Sequence, residues 1–156
     1  AKRIGGIARD VDLAATVYAL TGTTPPGDLD GASLAPALGG APLTTPAAFA
    51  ETGLWFTEEP DGVPPSLRLP YPDVSRLLEV VRSAGEDVVL QDAYVPLTLT
   101  AKHRAIVTAT HKLVLAPTRQ GLRAMLFDVV KDPGCTLDPA AEQPDVTTAL
   151  AVTDVC

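Results

Sequence analysis

The apolar positions of this chain fall into short periodic runs separated by turn formers. Val11, Ala14, Ala15, Val17, Tyr18 and Leu20 recur near helical spacing, with Asp10 or Asp12 available as cap and Gly22 able to take the left-handed conformation that ends a helix. The spacing predicts a helix over roughly 11–21. Thr23 to Gly31 is a run of turn residues, since proline fixes φ and glycine permits positive φ, and Ser33 to Leu38 fits one helical turn before Gly39-Gly40. Residues 39–48 read as a connector. Ala48 to Phe56 has strand character, and Thr57 to Asp73 holds five prolines and four acids, which a sheet interior cannot accept because proline removes ladder donors. That stretch reads as an irregular surface loop.

Beyond it, Val74, Leu77, Leu78 and Val81 have helical spacing, Gly85-Glu86-Asp87 breaks the pattern, and Val88-Val89-Leu90 reads as a strand. The clearest pairing signal comes late. Arg104 to Leu115 alternates, with a candidate break near Thr110-His111, and Thr118-Arg119-Gln120-Gly121 turns the chain into Leu122 to Val130. An antiparallel hairpin is expected. Lys131-Asp132-Pro133-Gly134 ends it, and Asp138-Pro139 and Pro144 can each open a short helix, because proline is tolerated in a first turn.

Composition narrows the classes of function. The 156 residues fit one domain, and 15 prolines with 12 glycines exclude a long bundle or coiled coil. With 12 Lys and Arg against 19 Asp and Glu, the net charge of -7 argues against nucleic acid, whose affinity is built from Lys and Arg contacts to phosphate. No apolar run approaches the roughly 20 residues that span a bilayer, so no membrane partner is expected. The charge is uneven: residues 51–100 carry nine acids and three bases, whereas Lys102, Arg104, Lys112, Arg119 and Arg123 follow with no acid among them. The two strips are read first as solvated faces that pair with each other, and second as an anion-facing rim.

The chain offers no catalytic constellation. His103 and His111 stand eight residues apart in extended structure, too far for shared ligation, and Glu58-Glu59 and Glu86-Asp87 are sequential loop acids rather than an acid/base pair. His111 reads as a structural imidazole; His103, between Lys102 and Arg104, has the stronger functional case. Cys135 and Cys156 have no CxxC spacing and no neighbouring histidine that would suggest zinc; they are read first as free thiols, with a disulfide between them as the alternative. GxSxG, P-loop, GxGxxG and HExxH are all missing from the sequence.

The order of phrases carries more than any one of them. Val11-Asp12-Leu13-Ala14-Ala15-Thr16, Leu20-Thr21-Gly22, Pro25-Pro26 and Asp30-Gly31-Ala32-Ser33-Leu34 resemble the sulfatase pattern VDLxPT, LxG, proline, DGxSL, with Ala15 in place of the proline. Ala50-Glu51-Thr52-Gly53 resembles that family's short Glu-Thr strand, and His103-Arg104-Ala105-Ile106-Val107-Thr108 with Lys112-Leu113-Val114 its "RAIRT…WKLI" strand. Leu126-Phe127-Asp128-Val129 and Asp132-Pro133-Gly134 resemble "LYDLxxDPGE", with Cys135 where the family has Glu. Asp138-Pro139-Ala140-Ala141 and Gln143-Pro144 then resemble the lead into its terminal helix.

The resemblance is to the C-terminal portion of a sulfatase, within the alkaline-phosphatase-like superfamily, and a chain that begins at Ala1 fits a sequence starting partway through a longer product. It implies an α+β fragment: residues 1–47 as the end of the large α/β domain, and 48–156 as a small antiparallel-sheet subdomain with a terminal helix. The family's nucleophile motif, Cys or Ser followed by x-Pro-x-Arg, does not occur, so no catalytic or metal-ligating residue is carried over, and the chain alone is expected to be inactive. Calcium is implied for the complete enzyme and none for this chain. The implied partners are the missing N-terminal catalytic portion and a sulfated small molecule or glycan; a phosphodiesterase or phosphonate hydrolase of the same superfamily, and a free-standing anion- or protein-binding module, are the alternatives. His103 and Arg104 are the residues expected nearest to substrate, as part of a cleft wall.

Overall fold

The computed structural model describes residues 4–43, 46–52, 63–69, 73–82 and 85–153. Helix α1 runs Val11–Thr21 and ends as expected, with Gly22 at φ 68° donating its amide to Tyr18 O. Neither aspartate caps it through its side chain. Asp10 sits at the N-cap without a side-chain bond, and Asp12 lies inside the first turn. The short helix α2, Ala35–Leu38, follows the turn-rich segment.

Four strands form the main sheet: β1 (Ala48–Glu51), β4 (Arg104–Val107), β5 (His111–Thr118) and β6 (Gly121–Asp128), antiparallel throughout in the order β1-β4-β5-β6. The break near Thr110 is real, and it changes which residues share a face. A single uninterrupted strand would put Ala105 and Val107 with Leu113, but the turn at 108–110 pairs Ile106 with Leu113 instead. Thr108 holds that turn, its Oγ1 accepting the His111 amide at 3.0 Å. At the other end Thr118 faces Gly121, whose φ of 109° closes the two-residue connection.

Both faces of this sheet are covered at its centre. On one, Ile106, Leu113, Leu115 and Leu126 pack against Ala140, Val146, Leu150 and Ala151, the last three from helix α5 (Pro144–Thr153). Proline opens that helix, as predicted. On the other face Ala116 and Met125 are buried under Val63 and Leu67. Part of the proline-rich segment is therefore core: Pro65–Leu67 forms a 3-10 turn, and the Arg119 amide donates to Leu67 O at 2.9 Å. Residues 57–62 and 70–72 of that segment, with residues 53–56 of the expected first strand, lie outside the described residues.

The helix expected over 74–81 is corrected. Only Val74–Leu77 is helical (α3), capped by Asp73, which accepts the Ser75 amide; Leu78–Val81 is strand β2, paired antiparallel with β3 (Asp87–Leu90). Four residues fit either period, and pairing with Val88 and Val89 decides between them. A 3-10 turn at Asp92–Tyr94 leads into α4, Val95–Thr100, which delivers the chain to β4. No helix among the described residues is long and apolar enough to cross a membrane.

Candidate functional site

The candidate residues sit where β4 begins beside the end of β1. Glu51 and Arg104 are directly opposite in the register, so their side chains share a face. The Glu51 carboxylate is held from two sides, Oε1 by Lys102 Nζ at 2.6 Å and Oε2 by Arg104 Nε at 2.8 Å. Lys102 and then Arg104 keep that carboxylate below its ordinary value, against a smaller opposing effect of desolvation. One acid of the acidic strip thus pairs with two cations of the basic strip. The cluster retains one net positive charge. Arg104 remains half exposed, so its guanidinium meets solvent as well as Glu51.

His103 is fixed through its backbone: its amide donates to Thr52 Oγ1 at 2.9 Å and its carbonyl accepts the Thr52 amide at 3.0 Å. Its ring is half-buried, with Nε2 enclosed, and desolvation lowers its pKa, which favours the neutral imidazole. Successive residues of an extended chain project to opposite faces. The two adjacent candidates are therefore held at one sheet edge by different partners, Arg104 by the Glu51 side chain and His103 by the Thr52 backbone and hydroxyl. His111 has the structural setting expected of it, its Nδ1 2.9 Å from Thr110 Oγ1.

The rest of the basic strip does not converge on this point. Arg119 Nε donates to Arg68 O at 2.7 Å and so ties the hairpin turn to the proline-rich segment. Arg123 projects from β6, its Nε buried and without a hydrogen-bond partner among the described residues. Glu51 is the member of the cluster that residue chemistry did not single out. Its signal was present as the lone acid of the Glu-Thr strand, facing three consecutive basic or imidazole residues.

A cleft of ≈ 510 Å³ opens beside the first half of β1, lined by Arg9, Asp10, Asp30 and Phe49 among others. Its described lining residues include no pairing of a nucleophile with a base. Among the described residues no group of three or more His, Cys, Asp or Glu could hold a metal ion. Cys135 is a free thiol at φ 53°, and Cys156 lies outside the described residues.

A second cluster explains the phrases read from the first 40 residues. Asp12, fully buried, accepts the Arg9 guanidinium at 2.7 and 3.1 Å, the Arg9 amide at 2.9 Å and the Ala32 amide at 2.9 Å. One turn later Thr16 Oγ1 donates to Asp12 O and accepts the Leu34 amide at 2.8 Å. Between them Gly31 presses on α1 so closely that a Cβ would stand 1.8 Å from Val11 O. The Val-Asp, Thr and Asp-Gly-x-Ser-Leu residues are thus a strap that fixes the 31–34 backbone to the helix.

No protein-family profile and no curated protein matches the chain. Solved structures do. One, a protein in complex with its substrate D-glucosamine-2-N,6-O-disulfate, aligns over 91% of this chain with a TM-score of 0.54 and 19% identity. The phosphonate monoester hydrolase of Agrobacterium radiobacter aligns over 91% with a TM-score of 0.53 and 23% identity, and a sulfatase of glycosaminoglycan metabolism in Bacteroides thetaiotaomicron over 89% with 0.50 and 22%. The chain has the fold of a segment of these hydrolases. It spans 22%, 23% and 24% of their respective lengths, and over that segment its α+β fold is sulfatase-like.

Proposed function

We propose that this chain is the C-terminal part of a sulfuric ester hydrolase, with residues 1–47 ending its large α/β domain and residues 48–156 forming a small subdomain that walls the substrate cleft. The observation that supports it most is the fold shared over about nine-tenths of the chain with hydrolases, one of which carries a disulfated glucosamine as substrate. In this reading the nucleophile and the calcium belong to polypeptide outside this chain, and the substrate is a sulfated sugar or glycan. Arg104, half exposed and carrying charge beyond what Glu51 neutralises, faces a sulfate group of the substrate, with His103 beside it.

A second reading is a phosphonate monoester hydrolase. The near-equal TM-scores of 0.54 and 0.53 favour neither ester over the other. The test is to express the complete reading frame that contains these residues and assay it on glucosamine sulfates and on phosphonate monoesters. Release of inorganic sulfate is expected. Turnover of phosphonate alone would replace the leading reading with the second, and turnover of neither would remove both.

A further inference from the structure

Helix α1 is inside out. Its charged residue, Asp12, and its Thr16 are buried against the strap, whereas Leu13, Val17 and Leu20 are 60%, 58% and 62% exposed. Those three stand at i, i+4 and i+7 and so form one stripe along the helix. With Asp12 buried, the sequence from Val11 to Thr21 presents no charge to solvent at all. A soluble helix normally carries charge on the face it shows to water. Nor can α1 roll over to hide the stripe, because the Asp12–Ala32 and Thr16–Leu34 bonds and the Gly31 contact hold it from behind.

We infer that the Leu13–Val17–Leu20 stripe is the docking face for an apolar layer of the same polypeptide, supplied by the part of a complete hydrolase that this chain does not contain. Size decides between that occupant and a second copy. A helix of 11 residues presents a face roughly 16 Å long and 10 Å wide, on the order of 160 Å², whereas a stable dimer buries about 800 Å² per partner. So small a face cannot offset the entropy lost when two separate molecules associate. Within one chain that cost is absent, and a stripe of this size is an ordinary part of a domain core. The matched hydrolases have the polypeptide to cover it, since this chain spans only 22–24% of them. The inference rests on the hydrolase reading for the identity of that layer.

The experiment compares residues 1–156 with the complete protein, using hydrogen exchange at the α1 amides and a variant carrying Leu13→Gln, Val17→Thr and Leu20→Gln. Exchange over 11–21 is expected to be at least tenfold slower in the complete protein than in the fragment. The triple variant is expected to lower the Tm of the complete protein by several degrees while leaving the fragment's helicity unchanged and reducing its binding of a hydrophobic dye. Should the triple variant prevent folding of the complete protein, Val17→Ala alone and the wild-type exchange comparison still decide. Equal α1 exchange in the two contexts would overturn the inference, as would a concentration-dependent dimer of the fragment that the triple variant abolishes. Because none of these readouts is turnover, loss of the hydrolase reading and loss of the docking face are separate results.

Discussion

Gly31 shows how a residue can be placed correctly and explained wrongly from sequence. It reads as a turn former, but its φ is not positive; what it supplies is room, since any side chain meets the Val11 carbonyl and the Asp12 backbone. Gly31→Ala is therefore expected to destabilise by about 3 kcal/mol, the upper part of the range for overpacking, measured as a shift in urea midpoint at constant m. A cost within 0.5 kcal/mol would mean the strap does not touch the helix. Asp12 was read as one of two candidate caps of α1, but it lies inside the first turn, and its role depends on Ala32, twenty residues away, which no local spacing reveals. The Arg9 guanidinium holds its carboxyl below the ordinary carboxylate range, with the Ala32 and Arg9 amides adding to that and desolvation opposing it. The unfolded chain then binds the proton more readily than the folded one. Its contribution is present above about pH 4, where an unfolded aspartate is ionised, and is lost as pH falls below that. Urea midpoints between pH 3 and 6 should fall with acid in the wild type and fall less in Asp12→Asn, and identical acid limbs would contradict the assignment.

Among the elements, legibility tracked length and the locality of the partner. The 11-residue helix α1, the eight-residue strands β5 and β6 and their two-residue turn were all readable, because each contains enough periods to exclude the alternative. The four residues Leu78–Val81 contain one turn of one pattern or two steps of the other, and β3 makes the choice. The parity of β4 was hidden for a related reason: a three-residue turn held by Thr108 shifts the inward set from Ala105 and Val107 to Ile106. Val63 could not be placed from sequence either, since a proline-rich neighbourhood says nothing about which side chain is tucked under the sheet. The hydrophobic centre that results is small, so each of its members matters. Leu126→Ala, fully buried between Leu113 and α5, is expected to cost about 2–5 kcal/mol by cavity formation. Thermal melts followed by far-ultraviolet circular dichroism would check it, and a Tm unchanged within a degree would show that α5 does not seal that face.

At the scale of the whole molecule, the fold was legible from the succession of phrases, whereas the site was legible only in outline. Lys102, His103 and Arg104 stood out as a positive strip, yet Glu51 returns one negative charge to it, a fact that rests on register across 53 residues. That pairing bears on how the proposed substrate wall would work. An exposed ion pair is worth little in stability, so Arg104 can release Glu51 to meet a sulfate without much loss to the fold. In the complete hydrolase, Arg104→Gln is then expected to raise KM for a sulfated sugar about tenfold at low salt, in line with loss of one charge-assisted hydrogen bond, and to change kcat by less. Glu51→Gln should act in the opposite sense, lowering KM, because it removes the competing anion and leaves both cations. Screening provides the control. The Debye length shrinks from about 10 Å at 0.1 M to about 3 Å at 1 M, so the KM ratio between wild type and Arg104→Gln should contract with salt if charge is the cause. A ratio of one at every salt concentration would separate this edge of the sheet from the substrate, and a ratio that salt leaves unchanged would assign the effect to packing instead of charge.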